Sequence, residues 1–135
     1  MLWKRFLPRD EFDSYEDLKK NYKVNVPDDF NFTYDVVDEW ARIEPGKTAL
    51  VYCNDNGEEK IFTFNDIGEL SAKTANWLKS LGIKKGDAVM LMLRRRYEYW
   101  IIACALHRIG AILIPTSIQM SAKTSHIDAK LQKLR

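Results

Sequence analysis

The hydrophobic positions of the chain are densest between residues 87 and 115, where two apolar runs flank an amphipathic stretch. Residues 88–93 and 111–114 are continuously apolar, which is typical of strands covered on both faces in a parallel sheet. Residues 97–107 repeat apolar side chains every three or four positions, which indicates a helix, and Gly110 stands where a helix commonly ends. The pattern therefore predicts a βαβ unit with parallel strands.

A second pair of strands is predicted upstream, over residues 48–53 and 60–64, which are rich in β-branched and aromatic side chains. Asn56-Gly57 lies between them and is a strong hairpin signal, so we expect this pair to be antiparallel. A helix follows over residues 65–81. Its predicted buried face consists of Ile67, Leu70, Thr74, Trp77, Leu78 and Leu81. These elements place the chain in the α/β class, as a β-hairpin followed by the βαβ unit.

The N-terminal part of the chain has weaker patterns. Ser14, followed by Asp17 three residues later, predicts the start of a short helix that ends near Asn21. Residues 23–31 predict an extended surface linker. A second helix is predicted over residues 34–43, with an apolar stripe that should dock on a sheet.

Gly68 lies inside the predicted helix over residues 65–81, where a glycine costs about 1 kcal/mol relative to alanine. It can mark close packing of the helix against a neighbouring element, or it can be a tolerated surface glycine. We take the surface position as the simpler expectation.

The composition of the chain disfavours some classes of binding partner. The 135 residues include 21 basic and 19 acidic side chains, a net charge of +2, so no strong field favours nucleic acid or an anionic membrane. No apolar run reaches the length of about 18 residues that a membrane span needs, and the first residues lack the apolar core of a signal peptide. We therefore expect a cytoplasmic protein with no nucleic-acid partner and no membrane span.

The cysteines and histidines lack the spacing that is typical of a catalytic or metal-binding site. Cys53 and Cys104 have neither CxxC nor metal-ligand spacing, so we expect two buried free thiols in a reducing compartment. His107 and His126 lack a carboxylate or cysteine partner at a recognisable spacing, which favours satisfied or exposed histidines. We predict no catalytic constellation and no metal site.

Three arginines, Arg94–Arg96, stand where the first strand of the βαβ unit ends, at the edge where open α/β sheets bind ligands. They can contact a phosphate or a nucleotide, although a solvated surface is the commoner outcome. The aromatic residues Tyr97, Tyr99 and Trp100 can stack a base, but their helical spacing favours a place in the core. Residues 82–86 are no phosphate-binding loop, because they precede a strand rather than follow one.

Three segments resemble the adenylate-forming (AMP-binding) enzymes. Residues 62–67, Phe-Thr-Phe-Asn-Asp-Ile, are similar to the family's first core motif, an aromatic-Thr-aromatic-x-acid-aliphatic signature at a strand-to-helix junction. Residues 107–115, His-Arg-Ile-Gly-Ala-Ile-Leu-Ile-Pro, resemble the second core motif, and residues 81–89 match the usual Leu-Gly-x-x-x-Gly-Asp-x-Val. The resemblance runs over residues 32–119 and implies a partial N-terminal subdomain of the adenylate-forming fold.

Residues 31–38 and 114–120 are similar to the medium-chain, acetyl-CoA-synthetase-like branch of that family. This resemblance implies activation of a small carboxylic acid with ATP and Mg²⁺ to an acyl-adenylate, followed by attack of the coenzyme A thiol. Gln119 matches a glutamine that contacts coenzyme A in that branch, with an exposed loop amide as the alternative. Arg95 matches an arginine of the family and is a second candidate for cofactor binding.

The chain also departs from the family pattern. Arg94 and Tyr97 stand where the family commonly has proline, so we expect a different loop shape. Residues 121–135 depart from the next helix of the branch, as they would after a frameshift or truncation. We therefore divide the chain into an N-terminal helix and linker (1–31), a partial AMP-binding domain (32–120) and a divergent tail (121–135).

Parts of the family's catalytic machinery have no counterpart among the 135 residues: the Ser/Thr/Gly-rich loop that holds the ATP phosphates, the acid that binds ribose, and the C-terminal lysine. We therefore expect the chain alone to be inactive and to bind none of ATP, Mg²⁺ and coenzyme A. One alternative is a non-catalytic interaction module that pairs through an open sheet edge with a partner, with the remainder of an enzyme or with itself. A weaker alternative is a small nucleotide-binding protein that uses Arg94–Arg96.

Overall fold

The computed structural model describes residues 2–119 and confirms the predicted order of a hairpin followed by a βαβ unit. The helices are a 3-10 turn at Leu2–Arg5, α1 at Tyr15–Asn21, a π-helix at Thr33–Asp38 that leads into α2 at Glu39–Ile43, α3 at Phe64–Ser80 and α4 at Glu98–Ile109. The strands are β1 at Thr48–Cys53, β2 at Glu59–Thr63, β3 at Ala88–Leu91 and β4 at Ile112–Pro115.

The N-terminal elements follow the prediction except at the second helix. Ser14 is the N-cap of helix α1, and its hydroxyl accepts a hydrogen bond from the Asp17 N–H at 3.1 Å. The helix predicted over residues 34–43 begins instead as a π-helix, which a short α-helix continues. Thr33 Oγ1 donates to the carbonyl of Cys104 at 2.9 Å, and Asp38 pairs with Arg108, so both ends of the π-helix are held to α4. These tertiary contacts outweigh the local preference for a regular α-helix.

The β1–β2 hairpin is antiparallel, as predicted, but its turn lies one residue earlier than the Asn56-Gly57 signal suggests. The carbonyl of Asn54 accepts from the Gly57 N–H at 3.1 Å, which puts Asp55 and Asn56 at the centre of the turn. Gly57 follows in the left-handed region, with a φ of 77°. The Asn54 Oδ1 atom accepts from the N–H groups of Asn56 and Glu58, both at 3.0 Å, and fixes this turn geometry.

Helix α3 begins at a capping box formed by Thr63 and Asp66. The Thr63 hydroxyl accepts from the Asp66 N–H at 3.1 Å, and the Asp66 carboxylate accepts from the Thr63 N–H at 2.8 Å. The helix ends at Ser80, close to the predicted end, but its buried face is only partly the predicted one, since Ile67 and Leu78 are buried as expected. Trp77 and Leu81 are 57% and 61% exposed, whereas the buried positions are Ile67, Gly68, Ser71, Ala75 and Leu78. The small residues among these positions let α3 lie close to α4. The buried stripe of α3 is therefore rotated towards its small residues.

The βαβ unit is confirmed, since β3 and β4 pair in parallel with Ala88 opposite Ile112 and Leu91 opposite Pro115. Helix α4 connects them and ends at Gly110, which takes a φ of 76°. Strand β3 ends at Leu91, two residues before the predicted end. Ile112 is 55% exposed, so within residues 2–119 the sheet lacks the cover on both faces that its apolar strands predict.

The core lies along α4, which takes part in two adjoining clusters. The first cluster joins α4 to α3 and the parallel strands and contains Ala75, Leu78, Ala105, Leu106, Ile109 and Ala111. The second joins α4 to the π-helix and α3 and contains Val37, Ile67, Ile101 and Cys104. Leu106 and Ala105 have no exposed surface, so α4 is the element around which the described part of the chain is packed.

Arg108 explains why Gly68 is buried, and the expectation of a surface glycine is wrong. The Arg108 guanidinium forms two hydrogen bonds to the Asp38 carboxylate and also donates to Ser71 Oγ at 3.0 Å and to the Gly68 carbonyl at 3.2 Å. A Cβ atom at Gly68 would lie 3.3 Å from Asp38 Oδ1. Glycine therefore gives the Arg108–Asp38 pair room against α3.

The two cysteines are both free but differ in environment. Cys104 is buried, as expected, and burial raises the pKa of its thiol. Cys53 is exposed, which corrects the expectation of two buried thiols. Its side chain lies at the end of β1, where the hairpin leaves the core.

Candidate functional site

The candidate site is a cleft at the carboxyl ends of the parallel strands. Arg94 and Arg95 follow β3, and Gln119 follows β4, so parallel pairing brings both loops to the same edge. The cleft has a volume of about 680 Å³ and is lined by Cys53, Asn54, Asp55, Leu93, Arg94, Arg95, Ser117, Ile118 and Gln119. The structure therefore brings together the two residues singled out for cofactor binding, Arg95 and Gln119.

The three arginines of the loop after β3 differ in whether a carboxylate neutralises their charge. Arg96 donates to both carboxylate oxygens of Glu98, at 3.0 and 2.5 Å. The hydrogen bond from Arg96 lowers the pKa of Glu98 below its ordinary value. Within the described residues, neither Arg94 nor Arg95 forms an ion pair. The positive charge that faces the cleft therefore comes from Arg94 and Arg95.

A smaller cleft of about 350 Å³ adjoins the first and shares Arg94 and Arg95 with it. Tyr97 on its wall packs against Phe62 and Tyr52, with ring centroids 5.0 and 5.2 Å apart. The Tyr97 hydroxyl accepts from Lys60 Nζ at 3.0 Å, which raises the pKa of Lys60 together with an ion pair to Glu58. This environment supports the core role expected for Tyr97.

Trp100 does not take the core role expected for it, since 56% of the residue is exposed. It lies on the same small cleft, and its ring meets Tyr99 edge-on with a centroid distance of 5.3 Å. The helical spacing of Tyr97 and Trp100 therefore correctly predicts a helix, but it does not predict which of the two side chains is buried.

The tip of the β1–β2 hairpin forms the opposite wall of the larger cleft. Its side chains there are Cys53, Asn54 and Asp55. The sequence did not predict this wall. The Asn56-Gly57 signal predicts the turn locally, whereas the position of the hairpin beside the loop after β3 depends on packing between residues about forty positions apart. The hydrogen bonds of Asn54 within the turn hold the wall in place.

His107 lies away from this cleft, in the last turn of α4. Its Nδ1 atom is buried and has no hydrogen-bond partner within the described residues, and burial lowers the pKa of the ring. The ring meets Phe32 edge-on at 6.1 Å, and the backbone carbonyl accepts from Asn31 Nδ2 at 2.6 Å. The expectation of a satisfied or exposed histidine is therefore wrong for His107; His126 lies outside the described residues.

Other chemistry is sparse in the described part of the chain. Among residues 2–119, no three His, Cys, Asp or Glu side chains lie close enough together to hold a metal ion. No helix in that part combines the length and the apolar character required to cross a bilayer. The tail predicted to be divergent, residues 121–135, lies outside the described residues.

Solved structures share this fold. The N-terminal subdomain of NpsA from Klebsiella oxytoca aligns with a TM-score of 0.61 and 26% identity, over 73% of this chain and 24% of that one. The fatty acid AMP ligase from Legionella pneumophila aligns with a TM-score of 0.64 and 21% identity, over 75% of this chain and 18% of that one. The described residues therefore have the fold of an N-terminal subdomain of adenylate-forming enzymes.

Curated proteins show the same relationship in sequence. The mitochondrial acyl-coenzyme A synthetase ACSM3 of Homo sapiens is 38% identical over 118 residues, which is 83% of this chain and 20% of the relative. Mitochondrial ACSM5 of Mus musculus is 38% identical over 104 residues, 73% of this chain and 18% of the relative. The chain thus spans about a fifth of the length of these relatives. Both are named as mitochondrial proteins, and the cytoplasmic location expected here stays a prediction.

The sequence profile of the AMP-binding enzyme family matches residues 37–126, which include both motif segments identified above. The match covers more than half of the chain and agrees with the curated relatives and with the fold. This chain therefore belongs to the AMP-binding enzyme family.

Proposed function

We propose that the chain supplies the first part of the N-terminal scaffold of an acyl-CoA synthetase. The observation that carries this proposal is the 38% identity to human acyl-coenzyme A synthetase ACSM3 over 118 residues. Such an enzyme joins a carboxylate oxygen to the α-phosphorus of ATP with loss of pyrophosphate. The thiol of coenzyme A then displaces AMP from the acyl carbon. The small carboxylic acid is the proposed substrate.

The two motif segments act as scaffold in this proposal. Thr63 and Asp66 of the first segment form the capping box that starts α3. Gly110 of the second segment ends α4 with a positive φ, and a Cβ there would lie 3.0 Å from the Lys85 side chain. Both segments therefore fix strand-to-helix and helix-to-strand junctions. Neither contributes a group that performs chemistry.

We infer that the cleft contacts a part of coenzyme A rather than ATP with Mg²⁺. Arg95 offers a cation and Gln119 offers amide donors and an acceptor, and both line one open cleft. We therefore propose Arg95 and Gln119 as coenzyme A contacts. The 135 residues have no glycine-rich phosphate loop after a strand, and the described ones have no carboxylate cluster for a metal. We accordingly propose that the chain alone does not catalyse adenylation.

A second candidate is an interaction module that pairs through the parallel strands. The sheet topology supports it, because within residues 2–119 the β3–β4 sheet has only two strands, and each strand leaves one open edge with which another chain can pair. The partner is then the remainder of an enzyme or a second copy. This candidate predicts binding without any contribution to catalysis.

A chimera tests the two candidates. Residues 32–119 of this chain replace the matching segment of human ACSM3, and acyl-CoA formation is measured with a medium-chain fatty acid. We expect the chimera to form acyl-CoA, whereas a chimera that also carries Leu106→Asp, with a charge in the core, should not. A folded chimera that binds no substrate and forms no acyl-CoA would contradict the enzymatic proposal and favour the interaction module.

A further inference from the structure

We propose that Tyr97, held by Lys60, is a positioning residue that fixes the loop after β3 against the β1–β2 hairpin. This loop, residues 92–97, places Arg94 and Arg95 on the candidate cleft. Lys60 lies outside the residues that line the two clefts, so it acts on them only through Tyr97. The positioning is independent of the proposed function, whereas its consequence for the use of coenzyme A rests on that function.

The loop after β3 has little support of its own. Within residues 2–119, no hydrogen bond to a backbone or side-chain group involves Leu93, Arg94 or Arg95. Arg96 does form hydrogen bonds, but its partner is Glu98, two residues further along the same chain segment. A segment with few hydrogen bonds opens at low cost. The position of the loop relative to the hairpin therefore depends on the side chains that bound it.

Tyr97 provides such a contact at the end of the loop, where α4 begins. Its ring packs against Tyr52 of β1 and Phe62 of β2, with centroid distances of 5.2 and 5.0 Å. Aromatic pairs at these distances stabilise beyond the burial of their area. Both partners belong to the hairpin, so the Tyr97 ring joins the βαβ unit to the hairpin beside the smaller cleft.

Lys60 restrains the Tyr97 ring from the second strand of the hairpin. Its Nζ atom donates to the Tyr97 hydroxyl at 3.0 Å and lies 4.4 Å from the centroid of the ring. The same ammonium group pairs with Glu58 at 2.9 Å. Lys60 stands opposite Tyr52 in the strand ladder, so one cross-strand pair contacts the ring twice. A charged donor that meets both the hydroxyl and the ring favours a single ring position.

Limited digestion of the 135-residue chain with trypsin tests the positioning. Initial cleavage rates after Arg94 and Arg95, followed by mass spectrometry, report how freely the loop leaves the hairpin. Lys60→Met removes the donor and keeps the aliphatic stem, and we expect cleavage about three-fold faster. Tyr97→Phe removes the acceptor and keeps the ring, with a similar effect. Because both changes delete the same contact, the double variant should also be about three-fold faster, whereas independent effects would give about nine-fold.

Three controls separate positioning from a general loss of stability. Cleavage after Arg108, whose side chain is 9% exposed, requires the core to open, and its initial rate should not change in any variant. Lys79→Met, at an exposed position on α3, should leave cleavage of the loop unchanged. Lys60→Arg keeps a charged donor and should stay within about two-fold of the parent. Unchanged loop cleavage in Lys60→Met, multiplying effects in the double variant, or an equal increase after Arg108 would each overturn the inference.

The consequence for the proposed function is measured in the ACSM3 chimera that carries residues 32–119. Since Arg95 is proposed as a coenzyme A contact, Lys60→Met in the chimera should raise the KM for coenzyme A about three-fold and leave kcat and the KM for ATP within about two-fold. An equal change in all three constants would contradict a role of the pair in positioning Arg95. An inactive chimera would contradict the proposed function alone, because the digestion of the loop uses no ligand.

Discussion

Thr63 and Asp66 show how a single pair of residues sets a junction in this chain. Their spacing, Thr-x-x-Asp, is the sequence signature of a capping box, and the structure shows both of its hydrogen bonds. The threonine and the aspartate of the first family motif thus have a structural role, the capping of α3, that their spacing alone could have predicted. Gly68 is the contrasting case, because its burial depends on Asp38 and Arg108, which lie 30 and 40 positions away in the chain.

Removal of the cap should destabilise the protein measurably. Thr63→Ala deletes the hydroxyl that accepts from the Asp66 N–H, so we expect a loss of about 1 kcal/mol in the free energy of unfolding. Urea denaturation followed by circular dichroism measures it. Lys79→Ala, exposed on the same helix, serves as the control. Equal stabilities of the two variants would show that the box contributes little.

Gly68→Ala tests the close packing at the Arg108–Asp38 pair. In an exposed helix this change would stabilise by about 1 kcal/mol, but here the added Cβ meets Asp38 Oδ1 at 3.3 Å. We therefore expect a net loss of stability by urea denaturation. Gly46→Ala, where no atom lies within 4 Å of the added Cβ, should be nearly neutral. A stabilising effect of Gly68→Ala would mean that the carboxylate moves aside without cost.

His107 predicts a pH dependence of stability. Burial lowers its pKa below the ordinary value of 6.5, so below that pH the unfolded chain binds more protons than the folded one. The free energy of unfolding should therefore fall as the pH is lowered through about 6.5 towards the folded pKa. Urea denaturation of the parent and of His107→Gln between about pH 7.5 and about pH 5.5 isolates this effect. A pH dependence identical in both proteins would rule out His107 as its source.

At the scale of elements, the signals that are local in sequence gave correct predictions. The hairpin, the βαβ unit and the ends of α3 and α4 follow from turn residues, apolar runs and glycine positions close to them. The buried face of α3 was only half predicted, because hydrophobic spacing favours large side chains. The actual contact with α4 uses the small residues Gly68, Ser71 and Ala75 instead. Which face a helix buries is thus decided by its neighbour.

Neighbouring positions on α3 provide a test of this correction. Leu78 is 7% exposed and belongs to the core, whereas Trp77 is 57% exposed. Leu78→Ala should cost about 2–4 kcal/mol in the free energy of unfolding. Trp77→Ala removes a larger side chain and yet should cost less than about 1 kcal/mol. Thermal and urea unfolding compare the two variants. A larger loss of stability for Trp77→Ala than for Leu78→Ala would show that the predicted face, which includes Trp77, is the buried one.

At the scale of the whole molecule, the candidate cleft is assembled from three separate stretches: the hairpin tip, the β3 loop and the β4 loop. Arg94–Arg96 and Gln119 were identified from the sequence, the arginines by their place after a strand and Gln119 by family resemblance. Parallel pairing of β3 and β4 brings their loops together. The contribution of Asn54 and Asp55 could not be foreseen, because it depends on how the hairpin packs against the βαβ unit.

We propose that residues 2–119 are part of the scaffold of an acyl-CoA synthetase and that the 135-residue chain alone does not carry out the ATP chemistry of such an enzyme. The most direct test is pyrophosphate release from ATP by the purified 135-residue chain, with Mg²⁺, coenzyme A and a medium-chain fatty acid present. Unaltered human ACSM3 is the positive control for the assay. We predict no release above the background of ATP alone, and fatty-acid-dependent release by the chain would contradict this proposal.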